Sequence, residues 1–168
     1  MLGILLANTG SPDAPTPTAL RRYLAQFLAD RRIVNLPAWL WLPILHGVIL
    51  NTRPSRSARL YRRIWTPAGA PLAVISQRIT AEVKAGLASQ LDFPFEMALG
   101  MRYGSPSIAS ALRGLRLQGC TRLLTLPLFP QYSSATTASI QDAVLAEVSN
   151  WQPQPALHIV QSYHRHPA

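Results

Sequence analysis

The chain has 168 residues, of which 48% are hydrophobic and 14% charged, and its 16 basic and 7 acidic residues give a net charge of +9. This apolar content excludes a disordered chain, and the single cysteine, Cys120, excludes a disulfide framework and any metal site built only from cysteines of this chain. There is no run of about 18 apolar residues and no basic leader, so we expect no membrane-spanning helix and a cytoplasmic location.

The N-terminal segment begins with a short apolar run and continues into a helix. Leu2–Ala7 is typical of a buried strand, and it ends in a polar turn that starts at Asn8. Thr16 offers a capping hydroxyl, and Pro17 suits the first helical position. The apolar spacing that follows predicts an amphipathic helix over 17–29.

Residues 37–50, PAWLWLPILHGVIL, form the most unusual segment, because it holds two tryptophans and no formal charge. It is too short to span a bilayer. Two interpretations remain open at this point. The segment is either a buried core helix, or an exposed apolar lip on which Trp39 and Trp41 contact a membrane or an apolar ligand.

A basic segment with partial helical periodicity follows, with arginines at 53, 56, 59, 62 and 63. The planar guanidinium of arginine matches carboxylate and phosphate groups. The simplest interpretation of the last four arginines is a solvated helix face. Because no base-stacking aromatic pattern or nucleic-acid motif accompanies them, we predict no nucleic-acid partner.

The second half of the chain alternates strands with helices. After a predicted helix over 72–89, we expect strands over Phe95–Met101, Leu123–Phe129 and Leu157–Val160, separated by two further helices. This alternation predicts an α/β fold with a four-stranded parallel sheet covered on both faces, in a three-layer αβα arrangement.

Ligands of such sheets bind beyond the carboxyl ends of the strands. The residues at those ends in this chain are aromatic, hydroxyl-bearing or basic, and they include Thr9, Arg102, Tyr103, Tyr132 and Ser133. Neither GxGxxG nor GxxxxGK[ST] occurs, so nucleotide binding is not favoured. The histidines do not show the spacing of a metal site, and we predict none.

Several segments together resemble the N-terminal half of bacterial ferrochelatases, the family that inserts ferrous iron into a porphyrin. The resemblance extends over essentially all 168 residues, and its longest motifs follow predicted strands. The motifs are NTGSP at 8–12, YRRIWTPAGAPL at 61–72, GMRYGSPSIASAL at 100–112 and LPLFPQYSSATTAS at 126–139.

The resemblance implies a chelatase-like fold in which two similar α/β domains face each other across a porphyrin cleft. Residues 1–168 would form the first domain, including the lip at 37–50. The implied reaction is insertion of Fe²⁺ into protoporphyrin IX in haem biosynthesis, with porphyrin and ferrous iron as substrates and no covalently bound cofactor. Coproporphyrin or another tetrapyrrole as substrate, and an inactive porphyrin-binding fragment, are the alternatives that stay open.

The resemblance also implies roles for individual residues. Arg53 matches an arginine that binds a porphyrin propionate, and Tyr61 matches a tyrosine at the same end of the cleft. Arg102 and Tyr103 match a pair that supports the metal side of the cavity. The other expected porphyrin-binding residues are Thr9, Leu24, Phe27, Leu28, Tyr132 and Ser133.

The chain also departs from the family pattern. Ala70 stands where most members have a serine that contacts a propionate, and Ser134 stands where animal members have a cluster-ligating cysteine, so we expect no iron–sulfur cluster. The family's catalytic histidine, in an S-x-H-[GS]-L-P motif, and its partner glutamate belong to the second half and have no counterpart here. We therefore expect a catalytic domain outside these residues as a partner, and no turnover from this chain alone.

Overall fold

The computed structural model describes residues 1–167 and divides into two compact units. The first unit contains Met1–Thr9, Ser76–Arg102 and residues 106–167. The second unit contains Gly10–Ile75 and the short segment Tyr103–Ser105.

The first unit is built on a four-stranded, all-parallel sheet with the strand order β2-β1-β3-β4. Its strands are β1 (Leu2–Asn8), β2 (Phe95–Met101), β3 (Arg122–Pro127) and β4 (Ala156–Ile159). The register of β1 and β2 runs to Asn8↔Met101, so these two strands end side by side. The α/β fold with a four-stranded parallel sheet is therefore confirmed.

Helices α5 (Ile108–Leu117) and α6 (Ser139–Val148) supply the apolar core that packs with this sheet. Leu5 and Ala7 of β1 are both buried in that core, and they alternate along the strand because successive side chains point to opposite faces. Burial of each large aliphatic side chain contributes roughly 1.5–3 kcal/mol. The core therefore holds the strand ends in place, and with them the loops that follow.

The second unit is helical and contains α1 (Pro17–Ala29), α2 (Ala38–Ile44) and α3 (Leu50–Ile64). Helix α4 (Pro71–Ala88) begins in the second unit and belongs to the first from Ser76 onward. The predicted cap of α1 is present, because Thr16 Oγ1 accepts a hydrogen bond from the Ala19 backbone N–H at 3.3 Å. The core of this unit consists of Tyr23, Leu24, Leu28, Leu45, Leu50 and Tyr103.

The lip segment is mostly exposed. Helix α2 is followed by a π-helical segment over Leu45–Ile49, which leads directly into α3. Trp39 is 78% exposed, whereas Leu45 is fully buried. Within the described residues, α2 is therefore not a buried core helix, and contact of the lip with a membrane or an apolar ligand stays a prediction. Within residues 1–167, no helix combines the length and the apolar content that crossing a bilayer requires.

Strand β3 ends at Pro127, two residues earlier than the sequence predicts. The Leu128 N–H donates to the Ala7 carbonyl of β1 at 2.7 Å, so the nitrogen of Pro127 lies on the opposite, β4 side of the strand. The pairing with β4 has already ended at Thr125↔Ile159. Proline is tolerated at this position because no ladder hydrogen bond is required of its nitrogen.

Candidate functional site

The carboxyl end of the sheet in the first unit begins with a fixed turn after β1. The Asn8 side chain is buried, its Oδ1 accepts from the Thr9 N–H at 2.7 Å, and its Nδ2 donates to Ser76 Oγ at 3.0 Å. On the neighbouring strand, the Arg102 N–H donates to the Asn8 carbonyl at 2.8 Å. These bonds hold Thr9 and Arg102 at adjacent strand ends, as the sequence predicts.

The side chain of Arg102 is tied to helix α6. Its Nε donates to Ser139 Oγ at 2.7 Å and to the Ser139 carbonyl at 2.9 Å. Arg102 is half-buried. The bonds connect the exit of β2 to the start of α6, so Arg102 has a structural function. Its role at the metal side of the cavity remains a prediction.

Tyr132 and Ser133 lie in the loop after β3, which pairs directly with β1. Tyr132 is 55% exposed. Ser133 Oγ accepts from the Ala135 N–H at 3.3 Å and caps a π-helical segment over Ser134–Ala138 that continues into α6. Single π-helical turns are frequent at functional sites. Thr9, Arg102, Tyr132 and Ser133 therefore share the carboxyl edge of one sheet.

An aromatic cluster in the second unit contains Tyr23, Phe27 and Tyr103. The Tyr103 ring meets Phe27 edge-to-face, with centroids 5.2 Å apart, and Tyr23 stacks on Phe27 with centroids 6.0 Å apart. Tyr103 is only 1% exposed, and its hydroxyl donates to Asp30 Oδ2 at 2.7 Å. Tyr103 therefore anchors the segment 103–105 within this unit.

The three α1 residues expected to bind porphyrin belong to the same unit core or its margin. Leu24 and Leu28 are each 8% exposed, and Phe27 is half-buried. Their packing explains their helical spacing without a ligand. The porphyrin contact expected of Leu24, Phe27 and Leu28 stays a prediction.

Gly104 is required by the backbone of the turn after Tyr103. Its φ is +83°, and a Cβ at this position would collide with the Ser11 carbonyl oxygen. The Gly104 N–H donates to Gln26 Oε1 at 2.9 Å. A side chain is therefore excluded at Gly104 both by conformation and by space.

One face of α3, together with Ile49 just before it, lines an open concavity of about 800 Å³ in the second unit. Its lining combines three guanidinium groups, two hydroxyls and two apolar side chains, and it contains no carboxylate. The lining residues are Ile49, Thr52, Arg53, Arg56, Ser57, Arg59 and Leu60. A surface of this composition suits an amphipathic ligand that carries carboxylates.

Helix α3 contains a proline near its start, and a side chain of α1 replaces the hydrogen-bond donor that this proline lacks. Pro54 cannot donate the helical hydrogen bond to the Leu50 carbonyl. Arg21 Nη1 donates to that carbonyl at 3.0 Å and also to Asn51 Oδ1 at 2.7 Å. The arginine of α1 thus replaces the missing donor, and the helix continues unbroken past Arg53.

Tyr61 lies on the same helix as Arg53, near its C-terminal end. Its ring centroid is 6.5 Å from that of Trp65. Burial raises the pKa of both Tyr23 and Tyr61, and the Tyr23 hydroxyl also donates to the Gly10 carbonyl at 3.3 Å. Both phenols therefore stay protonated at neutral pH, and the proton of Tyr23 is engaged by the Gly10 carbonyl.

The concavity is only partly predicted by the sequence. Arg56 and Arg59 are exposed, as the predicted solvated face requires, and they also line the same surface as Arg53, whereas the sequence predicts no role for Ser57. The signal was present in the spacing, because residues three and four apart share a helix face. The sequence does not reveal which face of α3 borders the concavity.

The described residues offer no obvious metal site. Among residues 1–167, no three His, Cys, Asp or Glu side chains lie close enough together to hold a metal ion. The four histidines, His46, His158, His164 and His166, are all exposed.

Comparison with known proteins identifies relatives along the whole chain. The family model described as "Ferrochelatase" matches residues 1–168. The chain is 48% identical over 166 residues to Ferrochelatase 2 of Shewanella oneidensis, with 99% of this chain and 50% of that protein covered. It is 47% identical over 167 residues to a ferrochelatase of Bordetella pertussis, with 99% and 46% covered, and 50% identical over 165 residues to one of Azoarcus, with 98% and 45% covered. The chain thus spans about half the length of the curated relatives it matches.

Proposed function

The chain belongs to the ferrochelatase family, and we propose that it supplies the porphyrin-binding half of an enzyme that inserts Fe²⁺ into protoporphyrin IX during haem biosynthesis. Family membership over all 168 residues supports this role. The observation that carries it is the arginine-lined concavity on α3, because a porphyrin with propionate chains combines an apolar macrocycle with carboxylates.

Arg53 is the residue that we propose to bind a propionate. Its guanidinium is exposed on the concavity, and within residues 1–167 it forms no ion pair or hydrogen bond. Ile49 and Leu60 border the same surface and offer apolar contact to the macrocycle. Binding energy gained at the carboxylate and along the apolar face can offset the cost of bending the macrocycle toward the metal.

Metal insertion also needs a base that removes the pyrrole N–H protons. A neutral imidazole suits this step because its pKa lies near the working pH. The family motif for that histidine does not occur in these 168 residues. We propose that the base comes from a catalytic domain outside this chain, and that the chain alone binds porphyrin without turning it over.

An anaerobic assay with purified chain, protoporphyrin IX and Fe²⁺ tests both parts of this proposal. Porphyrin fluorescence should report saturable binding, whereas the rate of fluorescence loss from metal insertion should equal the uncatalysed rate. Turnover above that rate would refute the need for an external base. Failure of porphyrin to bind would refute the porphyrin-binding role.

Coproporphyrin is the second candidate substrate, and the row of arginines favours it. Arg53, Arg56 and Arg59 line one concavity, and no acidic residue lines it with them. A porphyrin with four propionates could engage more of these guanidiniums than one with two. Titrating the chain with both porphyrins distinguishes the candidates, because only the coproporphyrin assignment predicts a clear preference for the tetracarboxylate.

We also propose a cytoplasmic protein that contacts a membrane peripherally through the lip. Trp39 is exposed together with Leu40, Ile44 and Val48. Trp41 differs, because it is half-buried and its Nε1 donates to the Leu28 carbonyl at 2.7 Å. Of the two tryptophans, Trp39 is therefore the one available to a lipid interface.

A further inference from the structure

Ser57 has an uncommitted hydroxyl on the concavity of α3. It is half-buried and lines the same surface as Arg53, four residues earlier on one helix face. A serine within a helix commonly bonds to the carbonyl four residues before it. Among the described residues, the Ser57 hydroxyl has no hydrogen-bond partner at all.

The other hydroxyl of the concavity is already engaged. Thr52 Oγ1 donates its proton to the Val48 carbonyl at 3.0 Å. Ser57 is therefore the hydroxyl of this surface whose proton remains available to a bound ligand.

The charges around Ser57 determine what that ligand would be. Arg53 and Arg56 flank it on the concavity, Arg59 lies further along, and the lining contains no acidic residue. Within residues 1–167, none of these three arginines forms an ion pair. A carboxylate would complement this surface, because it accepts from guanidinium and hydroxyl donors together.

We propose that Ser57 is a carboxylate-binding residue whose hydroxyl donates to the same porphyrin propionate that Arg53 binds. This inference rests on the proposed function.

The test is a fluorescence titration of the chain with protoporphyrin IX and, in the same detergent, with its dimethyl ester. Ser57→Ala should weaken binding of the dicarboxylate by about tenfold, the loss expected for a hydrogen bond to a charged group. It should leave the affinity for the ester unchanged. Ser57→Thr, which keeps the hydroxyl, should restore affinity for the dicarboxylate.

Ser55→Ala is the matched control, because Ser55 is an exposed serine of the same helix outside the concavity. If Ser57→Ala behaves like Ser55→Ala while Arg53→Ala still weakens dicarboxylate binding, the role of Ser57 is refuted and the proposed function stands. An equal loss for both porphyrins would also refute a carboxylate contact. If Arg53→Ala has no effect either, the proposed function fails as well.

Discussion

The hydroxyl of Tyr103 donates to the carboxylate of Asp30 across 2.7 Å, although 73 residues separate them in the sequence. Tyr103 follows a sheet strand, while Asp30 caps the C-terminus of α1. The bond, together with the aromatic contacts of Tyr103, places the segment 103–105 in the second unit. Tyr103 is therefore a structural residue of that unit, whatever it adds to the metal side of a cavity.

Removing this hydroxyl should destabilise the fold. We expect Tyr103→Phe to lower the free energy of unfolding by about 1.5–3 kcal/mol, because the half-buried Asp30 carboxylate loses the donor that the buried phenol of Tyr103 provides. Tyr132→Phe is the control, since Tyr132 is exposed and should change stability by less than about 0.5 kcal/mol. Urea unfolding of both variants measures the difference, and equal stabilities would contradict the structural role.

The sheet was predictable from sequence because its strands are short, apolar-rich segments with clear ends that alternate with helical patterns. Phe95–Met101 is correct at both ends, and the α1 start follows from the Thr16 cap. The length of β3 was overestimated, because the effect of Pro127 depends on where the neighbouring strand stops. Periodicity within one segment carries no information about that neighbour.

The candidate site was less predictable than the fold. The strand-exit residues Thr9 and Arg102 lie at neighbouring strand ends because parallel pairing requires it. The bond from Tyr103 to Asp30 depends on tertiary contact between distant segments, and no spacing rule reveals it. Likewise, the proposed role of Ser57 depends on which face of α3 borders the concavity, and the sequence does not reveal that face.

A side chain at Gly104 should be strongly unfavourable. We expect Gly104→Ala to destabilise the chain by about 1–3 kcal/mol or more, since its φ is +83° and the added methyl meets the Ser11 carbonyl. The matched substitution Gly86→Ala lies in the interior of α4, where nothing occupies the space around the new Cβ. It should stabilise the chain by roughly 0.5–1 kcal/mol. Thermal unfolding measures both effects, and a shift of the midpoint temperature in the same direction for both variants would contradict this expectation.

Buried phenols should make the chain sensitive to alkaline pH. Burial raises the pKa of Tyr23, with smaller contributions from Tyr61 and Tyr103. The Tyr23 phenol therefore ionises at a lower pH in the unfolded chain than in the folded one. The stability that this group contributes is fully present below about pH 10. Above that pH it declines progressively, with a slope of at most about 1.4 kcal/mol per pH unit.

Tyr23→Phe tests the source of that slope. Urea unfolding from pH 8 to 11.5 should show a shallower decline in this variant than in the unmodified chain. Tyr132→Phe should retain the original slope, because Tyr132 is exposed. An unchanged slope in Tyr23→Phe would assign the alkaline instability to other groups.

Membrane contact through the lip predicts a specific spectroscopic change. Adding vesicles that contain anionic lipid should shift tryptophan emission to shorter wavelength, because Trp39 enters the interface. Trp39→Ala should abolish the shift. Leu117→Ala is the control for loss of an exposed apolar side chain outside the lip, and it should leave the shift intact. A shift that persists in Trp39→Ala would rule out this contact.

The central claim is that the arginine-lined concavity on α3 binds a carboxylated porphyrin, and titration of Arg53→Ala with protoporphyrin IX tests it most directly. Affinity should fall by about tenfold or more, as expected when a charge-assisted hydrogen bond to a carboxylate is lost. Arg63→Ala removes an equally charged, exposed side chain of the same helix outside the concavity and should leave affinity nearly unchanged. Equal affinities of the two variants for protoporphyrin IX would contradict the account.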